Sequence, residues 1–409
     1  MRGRSLSIGF VTVADLPEGW GRTGRLRTLV GALASMGHRV TVWNEHSLES
    51  AGTQEVAGDL CGARYEYVLG TTERQRGFQA IGLKLRAVRA ILRKVRAAAQ
   101  AGELDLVIFN HLAFYDTYPI TRLARRLGIP TVQCYEDERM ELVLRDRVGM
   151  AQRVFGWNSW AADHWCSRMA DQIWVISSYL QEKYGRLSQH PERVHIVPTI
   201  IDANAWAMPP EPLHPEPVLL YSGGFGEHED IEKIARALGC LKQQGIAFRM
   251  RFLGANPDLP RVKQLQQLTQ ELGIAEWTEL RGFSPTSVVK QEVANANILL
   301  NLRTNSVWSR SGLSTKLSEY LAAARTVITT DIGDNARYVT DDISALVVSP
   351  DDSPERVAAV LRRAIEQPDL RARLGSGARQ AALEHFHVPV IQQRLAGLLG
   401  ELKMGSGVS

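Results

Sequence analysis

Short runs of β-branched and apolar residues alternate along the whole chain with longer stretches whose apolar positions recur every three or four residues. In the first half, Leu6–Val13, Arg39–Trp43, Asp105–Asn110, Thr131–Tyr135 and Gln172–Ile176 read as strands. Arg25–Met36, Ile81–Gln100 and Ile120–Leu127 read as helices. Such alternation predicts βαβ units, hence a parallel sheet covered by helices on both faces. Pro198, Pro209, Pro210, Pro212, Pro215 and Pro217 then stop regular structure and predict a linker near 198–217. Beyond it the pattern restarts, with strands at Val218–Ser222, Phe248–Leu253, Thr278–Arg281, Ile298–Leu302, Val327–Thr330 and Ala345–Val348. Helices are expected at Ile231–Gln244, Arg261–Leu272, Thr315–Ala323 and Pro354–Gln367, and a last one at Pro389–Leu402. The fold class expected is α/β, with Rossmann-like domains over 1–205 and 206–386, and a terminal helix and tail over 387–409. Two such domains face a cleft between the carboxyl ends of their sheets, where ligands bind.

Composition narrows the setting. The 409 residues are 44% hydrophobic and 22% charged, as in a soluble globular protein. No apolar run reaches the roughly 18 residues of a membrane span. Leu6–Val13 is too short, and too soon followed by Asp15 and Pro17, to be a signal peptide. Cys61, Cys134, Cys166 and Cys240 lie far apart without metal-type spacing, which suits reduced thiols in a cytoplasmic protein. The net charge of +4 is unevenly placed: Arg74, Arg76, Lys84, Arg86, Arg89, Arg93, Lys94 and Arg96 follow one another without an intervening acid. Ile81, Leu85, Val88, Leu92 and Val95 recur among them at helical spacing. The helix within 78–100 therefore either rests on anionic lipid at the inner face of a membrane or is a solvated helix whose apolar stripe faces its own domain. Nucleic acid is disfavoured because aromatic side chains are not interleaved with these charges.

Three segments are candidates for phosphate binding. Gly19-Trp20-Gly21-Arg22-Thr23-Gly24 fits the dinucleotide fingerprint, with Glu45 after the second strand in the ribose-binding place. Ala14-Asp15-Leu16-Pro17-Glu18 separates that motif from its strand, so a dehydrogenase is the weaker reading. A loop opening a helix, with Gly21 among its anion-facing amides, is the better one. Gly223-Gly224-Phe225-Gly226 follows the first strand of the second half and precedes a helix, which suits a diphosphate. Glu227, Glu229 and Asp230 cut against that, leaving a plain turn open. The third candidate is the most specific: Arg303, Arg310 and Gly312 lead to Ser314, an N-cap residue, and a helix with Lys316 in its first turn. A lysine there opposes the helix dipole unless an anion is bound. Glu319, three residues on, shares its face and offers a carboxylate to ribose hydroxyls. An exposed Lys–Glu pair is the plainer alternative.

The stretch Gly312-Leu313-Ser314-Thr315-Lys316-Leu317-Ser318-Glu319-Tyr320-Leu321-Ala322-Ala323 resembles the donor-binding segment of family 4 glycosyltransferases with the GT-B fold. So do Thr326–Ala336, the first glycine loop with Gly37-His38-Arg39-Val40-Thr41-Val42, and Ile173–Ser177. The resemblance implies a nucleotide-diphosphate sugar donor, UDP or GDP being expected, with retention of configuration and no catalytic metal or cofactor. It also implies that the final helix crosses back to the first domain. Glu319 takes the place of the acid that holds the ribose, while the preceding acid of the motif is replaced by Ser311. Gly312, Leu313, Ser314 and Thr315 are then expected to carry more of the phosphate and sugar contacts. An arginine and a lysine that the family places after the second domain's first strand are also missing, their places falling at Phe225 and Glu227–Asp230. Arg303, Arg310 or Lys316 has to supply that charge.

In the first half, His111 ends a strand where the family often has a histidine near the donor sugar, although an ordinary loop histidine fits too. Glu136, Asp137 and Glu138 end the next strand and either bind acceptor hydroxyls or form a solvated turn. Asp163 and His164, beside Trp160 and Trp165, read as structural. The acceptor expected is a glycan, a lipid-linked or a small-molecule hydroxyl. Asp341-Asp342 and Asp351-Asp352 lie in turns, so metal-dependent transfer is disfavoured. Ser311 leaves two rivals open, a catalytically weak nucleotide-sugar-binding scaffold and a nucleotide-sugar 2-epimerase.

Overall fold

The computed structural model describes residues 4–19, 21–45, 55–72, 78–110, 113–138 and 150–402. The chain divides into two compact units, Met1–Ile200 with Ile391–Ser409, and Ile201–Val390. In the first unit the strands β1 (Ser7–Thr12), β2 (Arg39–Asn44), β3 (Ala57–Leu60), β4 (Ala63–Tyr67), β5 (Leu106–Phe109), β6 (Thr131–Tyr135), β7 (Gln172–Val175) and β8 (Val194–Ile196) form one sheet. Its order is β3-β4-β2-β1-β5-β6-β7-β8. β3 runs antiparallel to β4 and the other pairings are parallel. The central strands are buried along their full length, as strands covered on both faces must be. Gln392 donates to the Ala32 carbonyl and Ser35, and Gln172 to the Leu398 carbonyl, so the last helix (Val388–Glu401) ends packed on this sheet's unit.

The second unit holds β9 (Val218–Ser222), β10 (Arg249–Leu253), β11 (Thr278–Arg281), β12 (Ile298–Asn301), β13 (Thr326–Thr330) and β14 (Leu346–Val348). Their order is β11-β10-β9-β12-β13-β14, all parallel. Leu219, Tyr221, Phe252, Leu300 and Ile328 from the sheet meet Ile234, Leu238, Leu241, Val357 and Leu361 from the helices Ile231–Gln243 and Pro354–Glu366 in one core. The order in which strands are added reverses between β9 and β12, and in the first unit between β1 and β5. Loops part there at the carboxyl edge, which is where open α/β sheets bind ligands.

Three differences from the sequence expectation have physical causes. The proline run is no free tether. Arg325 is buried and donates to the Pro209, Ala294 and Ala296 carbonyls, and Asn297 to Glu211 and the Pro212 carbonyl, so proline-rich chain is held by its acceptors. The helix Phe114–Arg126 starts earlier than its apolar period suggests and contains Pro119. On the basic helix Phe78–Gln100, Val88, Ile91 and Val95 are buried, but Ile81 and Leu85 are 57% and 48% exposed, so the apolar stripe turns outward in its first half.

Arg325→Ala leaves several buried carbonyls without a donor, and urea unfolding is expected to show a loss of about 2–4 kcal/mol. A loss within experimental error of zero would contradict this anchoring role.

Candidate functional site

At the reversal point of the second unit, β9 ends in Ser222 and the chain turns through Gly223 and Gly224. Gly223 has a φ of 154°, and a Cβ there would lie 2.9 Å from Lys316 Nζ and 3.0 Å from its Cδ. Glycine therefore lets the helix Thr315–Ala322 carry its lysine across the turn. The helix is tied down beside it: Tyr320 Oη accepts the Ser222 N–H at 2.8 Å and lies 3.1 Å from the Ser222 hydroxyl. Ser314 stands at the N-cap, yet its hydroxyl donates to Asn301 Oδ1 at 3.0 Å instead of capping the helix amides. Those amides have no side-chain cap, and amides at a helix start are groups that can bind an anion. Gly312, Leu313 and Ser314 are buried and Thr315 half-buried at the same edge. Gly333 secures the approach to this segment, because a Cβ there would meet the Ser309 and Arg310 carbonyls at 2.9 and 3.0 Å.

Lys316 is buried, and its partner is not Glu319. The ammonium lies 2.7 Å from Glu229 Oε2, 3.3 Å from Tyr221 Oη and 4.3 Å from the centre of the Tyr221 ring. Glu229, which argued against a phosphate site from its sequence position, is thus the counter-ion of the cation that argued for one. Burial alone would raise the Glu229 carboxyl, but Lys316, then His228 and Arg303, override it and hold it well below the usual range. Burial draws the Lys316 ammonium down, offset in part by Glu229, and Arg303 adds to the lowering. Arg303 is buried on the same spot: its residue bridges Glu229 as antiparallel backbone, and its N–H donates to Thr330 Oγ1 at 2.8 Å. Lys316 is thus the ion-pair partner of Glu229, and the charge of Arg303 lowers that carboxyl further.

Glu319 is half-buried and forms no hydrogen bond from its carboxylate among the described residues. Burial pushes it up to about 7, against the pull of Lys316 and Lys290. The loop between β9 and the next helix is fixed from outside by Arg261, which donates to the Glu229 carbonyl at 3.0 Å and to the Gly226 carbonyl. Sequence reasoning missed Arg261, Tyr221 and Asn301, since only the strand order brings them here. Two predicted donor contacts lie differently. Phe225 is turned into the core against Tyr221 and Phe252, so only its backbone faces the loop. Arg310 is exposed and donates to Asn305 at 2.6 Å.

In the first unit, Gly21 opens the helix Gly21–Ser35, and His111 lies outside the described residues. Glu136 accepts from Arg25 Nε at 3.0 Å and from Asn110 Nδ2 at 2.7 Å. Arg25, not anticipated from the sequence, is buried and also donates to the Val197 and Pro198 carbonyls. Glu136 is therefore a brace across the ends of β5 and β6, while Asp137 beside it is exposed. Asp163 accepts from Tyr184 at 2.9 Å and pairs with Lys183. Glu45, the ribose acid of the dinucleotide reading, is only 1% exposed and accepts from Tyr115 Oη. Burial and the neighbouring Asp116 raise its carboxyl well above the usual range, so it is sealed off from a ribose.

Two sheets that each reverse their strand order, one with a buried Lys316–Glu229 pair and an uncapped helix start at the reversal point, define an α/β protein of two Rossmann-like domains. A model of the glycosyl transferase 4-like domain matches residues 21–199, and one of glycosyl transferases group 1 matches 206–381. Among curated relatives, WcaL of Escherichia coli strain K12, named as a colanic acid biosynthesis glycosyltransferase, is 26% identical over 239 residues, 58% of each chain. This chain therefore spans less than two thirds of the length of that relative. The solved structure of sucrose-phosphate synthase from Thermosynechococcus elongatus superposes with a TM-score of 0.74 over 96% of this chain and 98% of that one, at 16% identity. Anabaena HepE in complex with UDP and glucose gives 0.72 over 97% and 100%, also at 16%. The chain belongs to the family 4-like GT-B glycosyltransferases.

Removing one partner of a buried ion pair strands the other. Lys316→Met is expected to cost about 3–5 kcal/mol in urea unfolding, and Lys316→Met with Glu229→Leu to recover most of it. Equal losses in the two variants would refute the pairing. Glu319 gives a pH signature. Its folded-state value lies above the ordinary 4.5, so its contribution to stability is complete below 4.5, is lost as pH rises to about 7 and stays lost above. Glu319→Gln should match the parent near pH 4.5 and exceed it at pH 8 by up to about 3 kcal/mol. An unchanged difference across that range would contradict the assignment.

Proposed function

We propose that the chain is a retaining, metal-independent glycosyltransferase whose donor diphosphate sits on the helix Thr315–Ala322 and the Gly223–Gly224 turn. The observation that carries this is the gathering of Lys316, Arg303 and uncapped helix amides at one reversal point, with Glu319 unbonded beside them. A diphosphate there would gain charge-assisted hydrogen bonds from the buried ammonium and favourable placement at the helix N-terminus. Glu319 then accepts ribose hydroxyls. Backbone groups of Gly312, Leu313 and Ser314 take the sugar-side contacts left by Ser311.

In the reaction, the bond from the anomeric carbon to the diphosphate oxygen breaks while the acceptor hydroxyl bonds to the same face. The departing phosphate oxygen takes the acceptor proton, so no strong base is required, and Arg303, Lys316 and the amides stabilise the charge that develops. Retention and the absence of a metal step rest on the resemblance to the family. The UDP complex of HepE favours a uridine nucleotide donor. WcaL, by its name, favours an acceptor in polysaccharide biosynthesis. His111 and the exposed Asp137 are the first unit's proposed sugar and acceptor contacts.

Titration calorimetry with UDP and GDP tests the donor site. Glu319→Ala and the Lys316→Met/Glu229→Leu pair variant should each bind at least about tenfold more weakly, a loss of the order of one charge-assisted hydrogen bond. Unchanged binding in both sinks the proposal. Turnover with no acceptor, releasing a free epimer, would favour the 2-epimerase instead.

A further inference from the structure

The basic helix Phe78–Gln100 joins a second feature that no part of the donor chemistry uses. Arg86, Arg89, Arg93 and Arg96 are exposed along one side of it, and none is ion-paired among the described residues. At its first turns Ile81 and Leu85, both exposed, flank Lys84, whose ammonium lies 5.3 Å from the centre of the Tyr115 ring. The next residue back, Phe114, packs against Trp157 at 5.8 Å and Trp165 at 5.2 Å, and Trp160 lies 5.7 Å from Trp165. Trp157 is 55% exposed and Val154, one turn earlier on the same helix, 63%. A π-helical turn at Ala162–Cys166 follows, and Trp165 within it stays 6.5 Å from Trp157. The arginine stripe and the cluster of open aromatic and aliphatic side chains thus lie on helices joined by packing through Phe114–Arg126.

Singly exposed apolar residues need no explanation, but a contiguous set containing three tryptophans does. Tryptophan suits the headgroup level of a bilayer, where an apolar ring meets water and carbonyls. An arginine stripe without acids suits anionic headgroups. We propose that this face of the first unit, formed by Ile81, Leu85, Arg86, Arg89, Trp157 and Trp160, docks on an anionic lipid surface. The aliphatic and indole side chains enter the interface and the arginines meet phosphates, with no segment crossing the bilayer. Among the described residues no helix is long and apolar enough to cross one. The proposal stands apart from the donor site and holds whatever sugar is transferred.

Flotation of the purified full chain with phosphatidylcholine vesicles, with and without about one third phosphatidylglycerol, tests it. Binding is expected only with phosphatidylglycerol, with a blue shift of tryptophan emission and a decline as salt rises. Arg86→Glu/Arg89→Glu and Leu85→Ser/Trp157→Ser change exposed positions and should keep the parental melting temperature while weakening binding about tenfold or more. Absence of binding by the parent at low salt, or equal binding to pure phosphatidylcholine, overturns the proposal. Loss in the arginine variant alone overturns its aromatic half.

Discussion

The contact between Lys316 and Glu229 is the constraint on which the second unit's site depends. A buried ammonium costs several kcal/mol of desolvation unless a carboxylate meets it in good geometry. Here that carboxylate comes from the loop after β9, and the lysine comes from a helix after β12. The pair therefore fastens two loops that diverge from the reversal point of the sheet. Around it the fit is close: glycine at 223 makes room for the lysine stem, Tyr221 receives its head, and Tyr320 locks the helix to the end of β9. Arg261 holds the Glu229 loop from outside.

The same contact shapes the electrostatics available to a ligand. The resemblance to family 4 transferases places cations on the loop after the second domain's first strand, and this chain has acids there instead. In the structure two other cations lie beside those acids. Lys316 reaches them from the helix side and pairs with Glu229, while Arg303 adds a second cation from the end of β12. Because Glu319 is pushed up to about 7, the cluster carries less negative charge near neutrality than a count of side chains suggests. In the proposed donor site a diphosphate would meet cations already desolvated and fixed, the kind of preorganisation that stabilises developing charge.

Much of this was legible in the sequence. The periodicity located β9, β11 and the helix Ile231–Gln243 almost to the residue, because buried strands and amphipathic helices write their period directly. β3 and β4 were missed, since each is short and mixes charged with apolar positions at a sheet margin. The helices Thr286–Ala294 and Pro368–His385 escaped for want of a strong apolar stripe. At the site, Ser314, Lys316 and Glu319 were visible as a helix start carrying chemistry. The partner of Lys316 was not, because an i, i+3 carboxylate is the obvious choice until strand order brings Glu229 closer. The roles of Glu136 and Phe225 were hidden for the same reason: one is claimed by Arg25, the other by the core.

The most direct measurement of the central claim is amide hydrogen exchange in the intact chain, with and without saturating UDP or GDP. A diphosphate on the uncapped helix should slow exchange at the amides of Gly223–Gly224 and Leu313–Lys316, and leave the distant helix Pro354–Glu366 unchanged. Protection confined to the first unit under a nucleotide that binds, or no protection with either nucleotide, would contradict the account.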